Sequence, residues 1–161
     1  IYAVGDVNGK SIFAHAASAQ GLHAVNIIKG VKSQSPFEGE KFPVNLYTYP
    51  EMASVGMTEP QAQLVHPEYA VNEFPMTANG KALTEGFTEG LVRIISEKKY
   101  GEVLGVQIIA PNATDMIAEA SVLMQLEGTV YDVAHAIHAH PTVSEIFMEA
   151  GYDAFVEPIH K

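Results

Sequence analysis

The chain has 161 residues, 47% of them hydrophobic, and a mean hydropathy of +0.07, enough apolar material for one packed globular domain or for a domain plus a piece of another. With 19 acidic against 9 basic residues the formal charge is −10, a field that repels polyphosphates, and no basic run gathers the few Lys and Arg, so no nucleic-acid partner is expected. The lack of cysteine excludes disulfides, thiolate metal ligands and a thiol nucleophile within this chain. No apolar run approaches the roughly 20 residues that cross a bilayer, and no signal-peptide pattern opens the chain, so the expectation is a cytoplasmic protein with no membrane partner.

The chain opens without Met, and "IYAV" runs at once into an apolar stretch, which reads as the interior of a longer protein with residues 2–4 as a buried strand. Gly5-Asp6 ends that strand, Asn8-Gly9 is a turn signal, and Ser11 can cap a helix running to Ile28. "KGVKSQSPFEGEK", Lys29 to Lys41, has neither helical nor strand period and reads as a connector. The chain therefore divides into residues 1–30, a connector at 31–41, and a second unit at 42–161.

In the second unit "VNLYTYP" and "ASVGM" are short strand candidates around Pro50, and "TEPQAQLVH" is a short helix opened by Thr58 with Pro60 in its first turn. "YAVNEFPM" is extended again. Leu91–Ser96 and Val103–Ile109 are β-rich runs separated by a charged, Gly-containing turn, which predicts an antiparallel hairpin. A helix capped by Asn112 or Thr114 then places Met116, Ile117, Ala120, Leu123 and Met124 at helical spacing and stops at Gly128. Met116 and Met124 are expected as core filler. "TVYDVAHAIH" and "SEIFMEAGYDAF" predict two further short helices with "HPT" between them. The fold class is α+β: an antiparallel sheet flanked by helices, preceded by a strand-helix unit.

The stretch "HAIHAHPTVSEIF" holds three of the seven histidines. His135 and His138, at i and i+3, would share a helix face, but Pro141 forces His140 away from helical geometry, and the spacing matches no familiar zinc pattern. No metal site is expected. The same geometry allows an acid–base pair: His140 is extended before Pro141, Thr142 or Ser144 starts the last helix, and Glu145 in its first turn can reach back to the imidazole. A carboxylate on one ring nitrogen leaves the other free to move a proton. Spacing alone equally describes, and favours, an ordinary hydrogen bond at a helix start, with Glu145 near the positive end of the helix.

Three motifs change that weighing. "HAHPTVSE" resembles the active-site base segment of the flavoprotein pyridine nucleotide–disulfide oxidoreductases, with "HAHPT" most similar to their dihydrolipoyl dehydrogenase branch. "IYAVGDVNGKSIFAHAA" resembles that family's second flavin-binding segment, and "YTYPEMASVG" the opening of its interface domain, where Tyr49 stands in place of the usual His.

The resemblance covers the chain in the family's order. It implies that residues 1–30 are the end of an FAD-binding domain and 42–161 the interface, or dimerisation, domain. It implies a homodimeric enzyme that oxidises dihydrolipoamide, carried on the lipoyl domain of a 2-oxoacid dehydrogenase complex, passing electrons through a cysteine pair to FAD and then NAD.

By position, His140 matches the base and Glu145 its orienting carboxylate, offered across the dimer to the other subunit. Gly5 and Asp6 match flavin ribityl or ribose contacts, and Ile12, Phe13, Ala14 and His15 match a helix start beside the isoalloxazine ring. Taken without the family, "GD" before a helix is an ordinary strand-to-helix turn. The cysteine pair, the Gly-rich fingerprint and the NAD domain have no counterpart here, so the chain alone is expected to be inactive. The alternatives are a glutathione- or mercuric-reductase-type member of the family, or a non-catalytic dimerisation module.

Overall fold

The computed structural model describes residues 1–31 and 41–160; all of the predicted connector except Val31 and Lys41 lies outside the described residues. Among the described residues six α-helices and five strands follow in the order α1 (Ala14–Ile28), β1 (Val44–Leu46), β2 (Glu51–Gly56), α2 (Glu59–Val65), β3 (Tyr69–Pro75), α3 (Gly80–Glu85), β4 (Leu91–Glu97), β5 (Val103–Ala110), α4 (Ala113–Gln125), α5 (Val130–His135) and α6 (Glu145–Tyr152). The strands form one sheet in the order β1-β2-β5-β4-β3, every neighbouring pair antiparallel. This is the expected α+β fold, with β4 and β5 as its central hairpin.

Alternation along the strands decides which face is covered. Ala53, Val55, Val92, Ile94, Val106 and Ile108 point to one side, with Phe74 of β3, and are buried. α4 lies over β2 and β5 and adds Met116, Ile117, Ala120 and Met124 to this core. α6 lies over β3 and β4 and adds Ile146, Phe147 and Ala150. Both predicted methionines are therefore core filler.

Polar contacts set the starts of α2 and α4. At α2, Gln61 Oε1 accepts the Thr58 N–H at 2.8 Å in a capping box, as the Thr58 prediction requires. At α4 the cap comes from elsewhere: Asn112 sits in the left-handed region with no side-chain cap, and Glu51 of β2 accepts from Thr114 N–H at 2.9 Å and Thr114 Oγ1 at 2.7 Å.

Three local expectations differ from the structure. Tyr2–Val4 forms no strand; among the described residues no strand pairs with its backbone groups, and both Tyr2 and Val4 are exposed. Ser11 caps a turn and not the helix, since its hydroxyl accepts the Phe13 N–H at 3.3 Å while α1 begins at Ala14. The chain between β3 and β4, given no element from sequence, contains a short 3-10 turn and α3, capped by Asn79, whose Oδ1 accepts the Ala82 N–H at 2.8 Å.

Candidate active site

The loop between α5 and α6 is fixed at both ends. α5 opens on a capping box in which Asp132 Oδ2 accepts from Thr129 N–H and hydroxyl, both at 2.7 Å, and the hydroxyl and N–H of Thr129 hold the Asp132 carboxyl below its ordinary value. α6 can press against α5 because Gly151 has no side chain: a Cβ there would lie 2.7 Å from Ala134 N. The chain leaves α5 after His135, passes the cis His140–Pro141 peptide, and enters α6 through Ser144.

Within that loop His140 and Glu145 meet, His140 Nδ1 lying 2.9 Å from Glu145 Oε1. The other oxygen, Oε2, accepts the Thr142 N–H at 2.8 Å, so the carboxylate is gripped from two sides. Partial burial pushes the Glu145 carboxyl up, but the Thr142 and His140 hydrogen bonds and the nearby charges of His140 and His160 hold it below the ordinary carboxylate value. Glu145 is sheltered, its side chain 16% exposed, while that of His140 is 77% exposed. An ionised carboxylate only accepts, so Nδ1 carries the proton of this hydrogen bond and Nε2, on a largely exposed ring, is left for other partners.

The structure does not gather the three histidines of the motif. The His135 ring lies against Phe155, 6.2 Å between ring centroids. His138 turns to α4, its Nε2 2.9 Å from Glu119 Oε1 and its Nδ1 3.0 Å from the Ala136 carbonyl. Its hydrogen bond to Glu119 raises its pKa against partial burial, helped by the charge of Glu119, the Ala136 carbonyl and the charge of Glu145. Among the described residues no three His, Asp or Glu side chains come together as a metal-binding group.

Three contacts around this loop were not anticipated from sequence. Asn79, 4% exposed, donates from Nδ2 to the Thr142 carbonyl at 3.1 Å. Glu119 holds His138. Buried Glu149, one turn beyond Glu145, ties down the tail, accepting from Ile159 N–H at 2.7 Å and meeting His160 Nδ1 at 2.5 Å. Only Asn79 had a local signal, an Asn directly before a helical stretch.

The residues expected at a flavin lie together on the N-terminal arm. Gly5 has φ 74° and donates its N–H to Gln20 Oε1 at 2.6 Å. Asp6 is exposed at the start of a 3-10 turn. Ile12 is exposed, Phe13 stands at the N-cap of α1 without a side-chain cap, and Ala14 is the first residue of the helix. The His15 ring stacks on Phe13 at 5.3 Å and bonds the Pro43 carbonyl at 2.7 Å. Among the described residues no hydrogen bond links this group to His140 or Glu145.

Residues 42–151, which contain the sheet and the His140–Glu145 pair, match the pyridine nucleotide-disulphide oxidoreductase dimerisation domain. The chain belongs to that family. It is 41% identical over 160 residues to the mitochondrial dihydrolipoyl dehydrogenase of Pisum sativum, covering 99% of this chain and 32% of that protein. It is 40% identical over 160 residues to the dihydrolipoyl dehydrogenase of Bacillus subtilis (strain 168), covering 99% and 34%. The same fold appears in the crystal structure of LpdA from Mycobacterium tuberculosis, with a TM-score of 0.86 and 26% identity over 94% of this chain and 33% of that one. The chain thus spans about a third of the length of the relatives it matches.

Proposed function

We propose that this chain supplies the general base of a dihydrolipoyl dehydrogenase, with His140 as the base and Glu145 as the carboxylate that orients it. The observation that carries the reading is the pair itself, Nδ1 to Oε1 at 2.9 Å, with the carboxylate sheltered and the imidazole presented. Nε2 takes the proton of a dihydrolipoamide thiol, and the thiolate attacks a cysteine disulfide, breaking its S–S bond and forming a mixed disulfide. The second lipoyl thiol then closes the lipoamide ring and releases the cysteine pair as one thiol, which keeps that thiol's proton, and one thiolate, with His140 holding the proton that the first thiol lost. The disulfide lies outside this chain, which has no cysteine. A bound FAD would supply the two-electron carrier between the reduced cysteine pair and NAD⁺.

In this reading residues 1–30 belong to the FAD-binding domain and 42–161 to the interface domain. The N-terminal arm fits a flavin: α1 starts without a side-chain cap, leaving backbone N–H groups for an electron-rich oxygen, and the exposed Asp6 carboxylate can accept sugar or ribityl hydroxyls. Gly5, Ile12, Phe13, Ala14 and His15 would line the same approach. The enzyme would be a homodimer in which His140 serves the partner's dithiol, and a lipoyl domain would carry the substrate. Its placement in the cytoplasm belongs to the same reading, although the pea relative is named mitochondrial.

The test is kinetic. In the dimeric holoenzyme His140→Gln should lower dihydrolipoamide oxidation by about 10²-fold or more, as loss of a positioned base does. Flavin absorbance should be unchanged. Glu145→Gln should cost less, since orientation is lost and not the base. Wild-type rates in both variants would return the pair to an ordinary helix-start hydrogen bond.

A further inference from the structure

His138 belongs to the same loop but takes no part in the chemistry just described. Its side chain is 8% exposed, and each ring nitrogen faces an oxygen: the Ala136 carbonyl at 3.0 Å from Nδ1 and Glu119 Oε1 at 2.9 Å from Nε2. A carbonyl only accepts, so Nδ1 must carry a proton. At neutral pH a glutamate is a carboxylate and also only accepts, so Nε2 must carry one too. A neutral ring in this place would leave one lone pair aimed at an oxygen. The charged groups that bear on the ring are Glu119 from α4 and Glu145 from α6, both acidic.

We infer that His138 is a positioning residue: its doubly protonated ring straps the segment between α5 and Pro141 to α4 and thereby fixes where His140 stands. The inference rests on the reading of His140 as the base. Without the strap, residues 136–139 have no other side-chain tie among the described residues except the Thr142 hydroxyl on the Ala139 carbonyl at 2.7 Å. The strap acts at the near side of His140 as Glu145 acts at the far side. A shift of an ångström in a base costs up to about 10²-fold in rate, so the expected effect of losing it is substantial though smaller than losing the base.

Two measurements on the dimeric holoenzyme decide it. With histidine side chains labelled with ¹⁵N, His138 should show both nitrogens protonated at about pH 7.5, where an ordinary imidazole is mostly neutral. Glu119→Ala should return it to the ordinary state; a neutral His138 in the wild type would overturn the inference. In turnover, Glu119→Ala should lower kcat about tenfold with KM little changed, while Glu119→Gln, which keeps an acceptor oxygen, should recover most of the rate. In the His140→Gln background Glu119→Ala should do nothing further, because a positioning residue acts through the group it positions. Additive losses, or a wild-type kcat in Glu119→Ala beside a collapsed His140→Gln, would overturn the strap and leave the base standing. An unimpaired His140→Gln would overturn both.

Discussion

Asn79 and Thr142 are 63 residues apart in sequence and joined in space, the Asn79 amide donating to the Thr142 carbonyl at 3.1 Å while its own oxygen caps α3. One buried amide therefore connects the β3–β4 connection to the residue whose N–H grips Glu145. Asn79→Ala removes these bonds, and a longer one from Nδ2 to the Val143 carbonyl at 3.5 Å, from a residue only 4% exposed, which should cost about 1–3 kcal/mol. Asn79→Asp keeps the cap but sets a carboxylate oxygen against the Thr142 carbonyl, so it should also destabilise. Urea midpoints of the two variants against wild type measure this; an unchanged midpoint in both would show that the amide is dispensable.

Two groups near the loop give the stability opposite dependences on pH. Glu145 is held below its ordinary value, so its contribution is fully present above the usual carboxylate range, about 4.3, and is lost as pH falls through the depressed value. His138 is held above its ordinary value, so its contribution is fully present below about 6.5 and is lost as pH rises through the raised value. Thermal midpoints across pH should therefore fall less steeply at the acid end in Glu145→Gln and less steeply at the alkaline end in Glu119→Gln. Parallel curves for wild type and variants would contradict the assignment.

Two glycines predict opposite signs for the same substitution. Gly151→Ala would place a methyl 2.7 Å from Ala134 N and 3.1 Å from the Val130 carbonyl, both backbone atoms, so α6 must move off α5 at about 1–3 kcal/mol. Gly21 lies inside α1 with nothing within 4 Å of its missing Cβ. Gly21→Ala should stabilise that helix by about 0.5–1 kcal/mol. Denaturation curves and helical circular dichroism compare them directly, and equal effects would mean that helix propensity, not the α5–α6 contact, governs both sites.

The N-terminal arm should be the least protected part of the isolated chain. α1 buries only Ala16 and Gln20, while Leu22 is 70% and Ile28 68% exposed. Amide hydrogen exchange should be fast through residues 1–30 and slow in β4, β5 and α4, with sedimentation giving twice the 17.4 kDa chain mass. Uniform protection from residue 2 onward in a monomer would contradict both the arm and the dimer.

The legible parts of the fold were those with local causes. The β4–β5 hairpin follows from two β-rich runs around a Gly turn, α4 from its apolar spacing, and α2 from Thr58 with Pro60. The His140–Glu145 contact was readable because it spans five residues and a Pro fixes the chain between them. Tyr2–Val4 misled because strand character is local but pairing is not. α3 escaped notice because Gly80 opens it and it is only six residues long. The Glu119–His138 contact joins α4 to the loop after α5 across 19 residues and has no spacing signature at all. The flavin role proposed for Gly5, Asp6 and Ile12 to His15 comes from likeness to a family and has no signature in spacing.

His140 keeps one nitrogen on Glu145 and turns the rest of its ring outward, on a chain that has no thiol. Under the proposed reading such a base works only while another surface is pressed against it. Turnover then obeys mass action in the enzyme as well as in the substrate: dilution that parts the subunits removes the base from the dithiol before either subunit unfolds. Specific activity, and not merely the rate, would fall as the enzyme is diluted, and the midpoint of that fall would report the strength of the subunit contact.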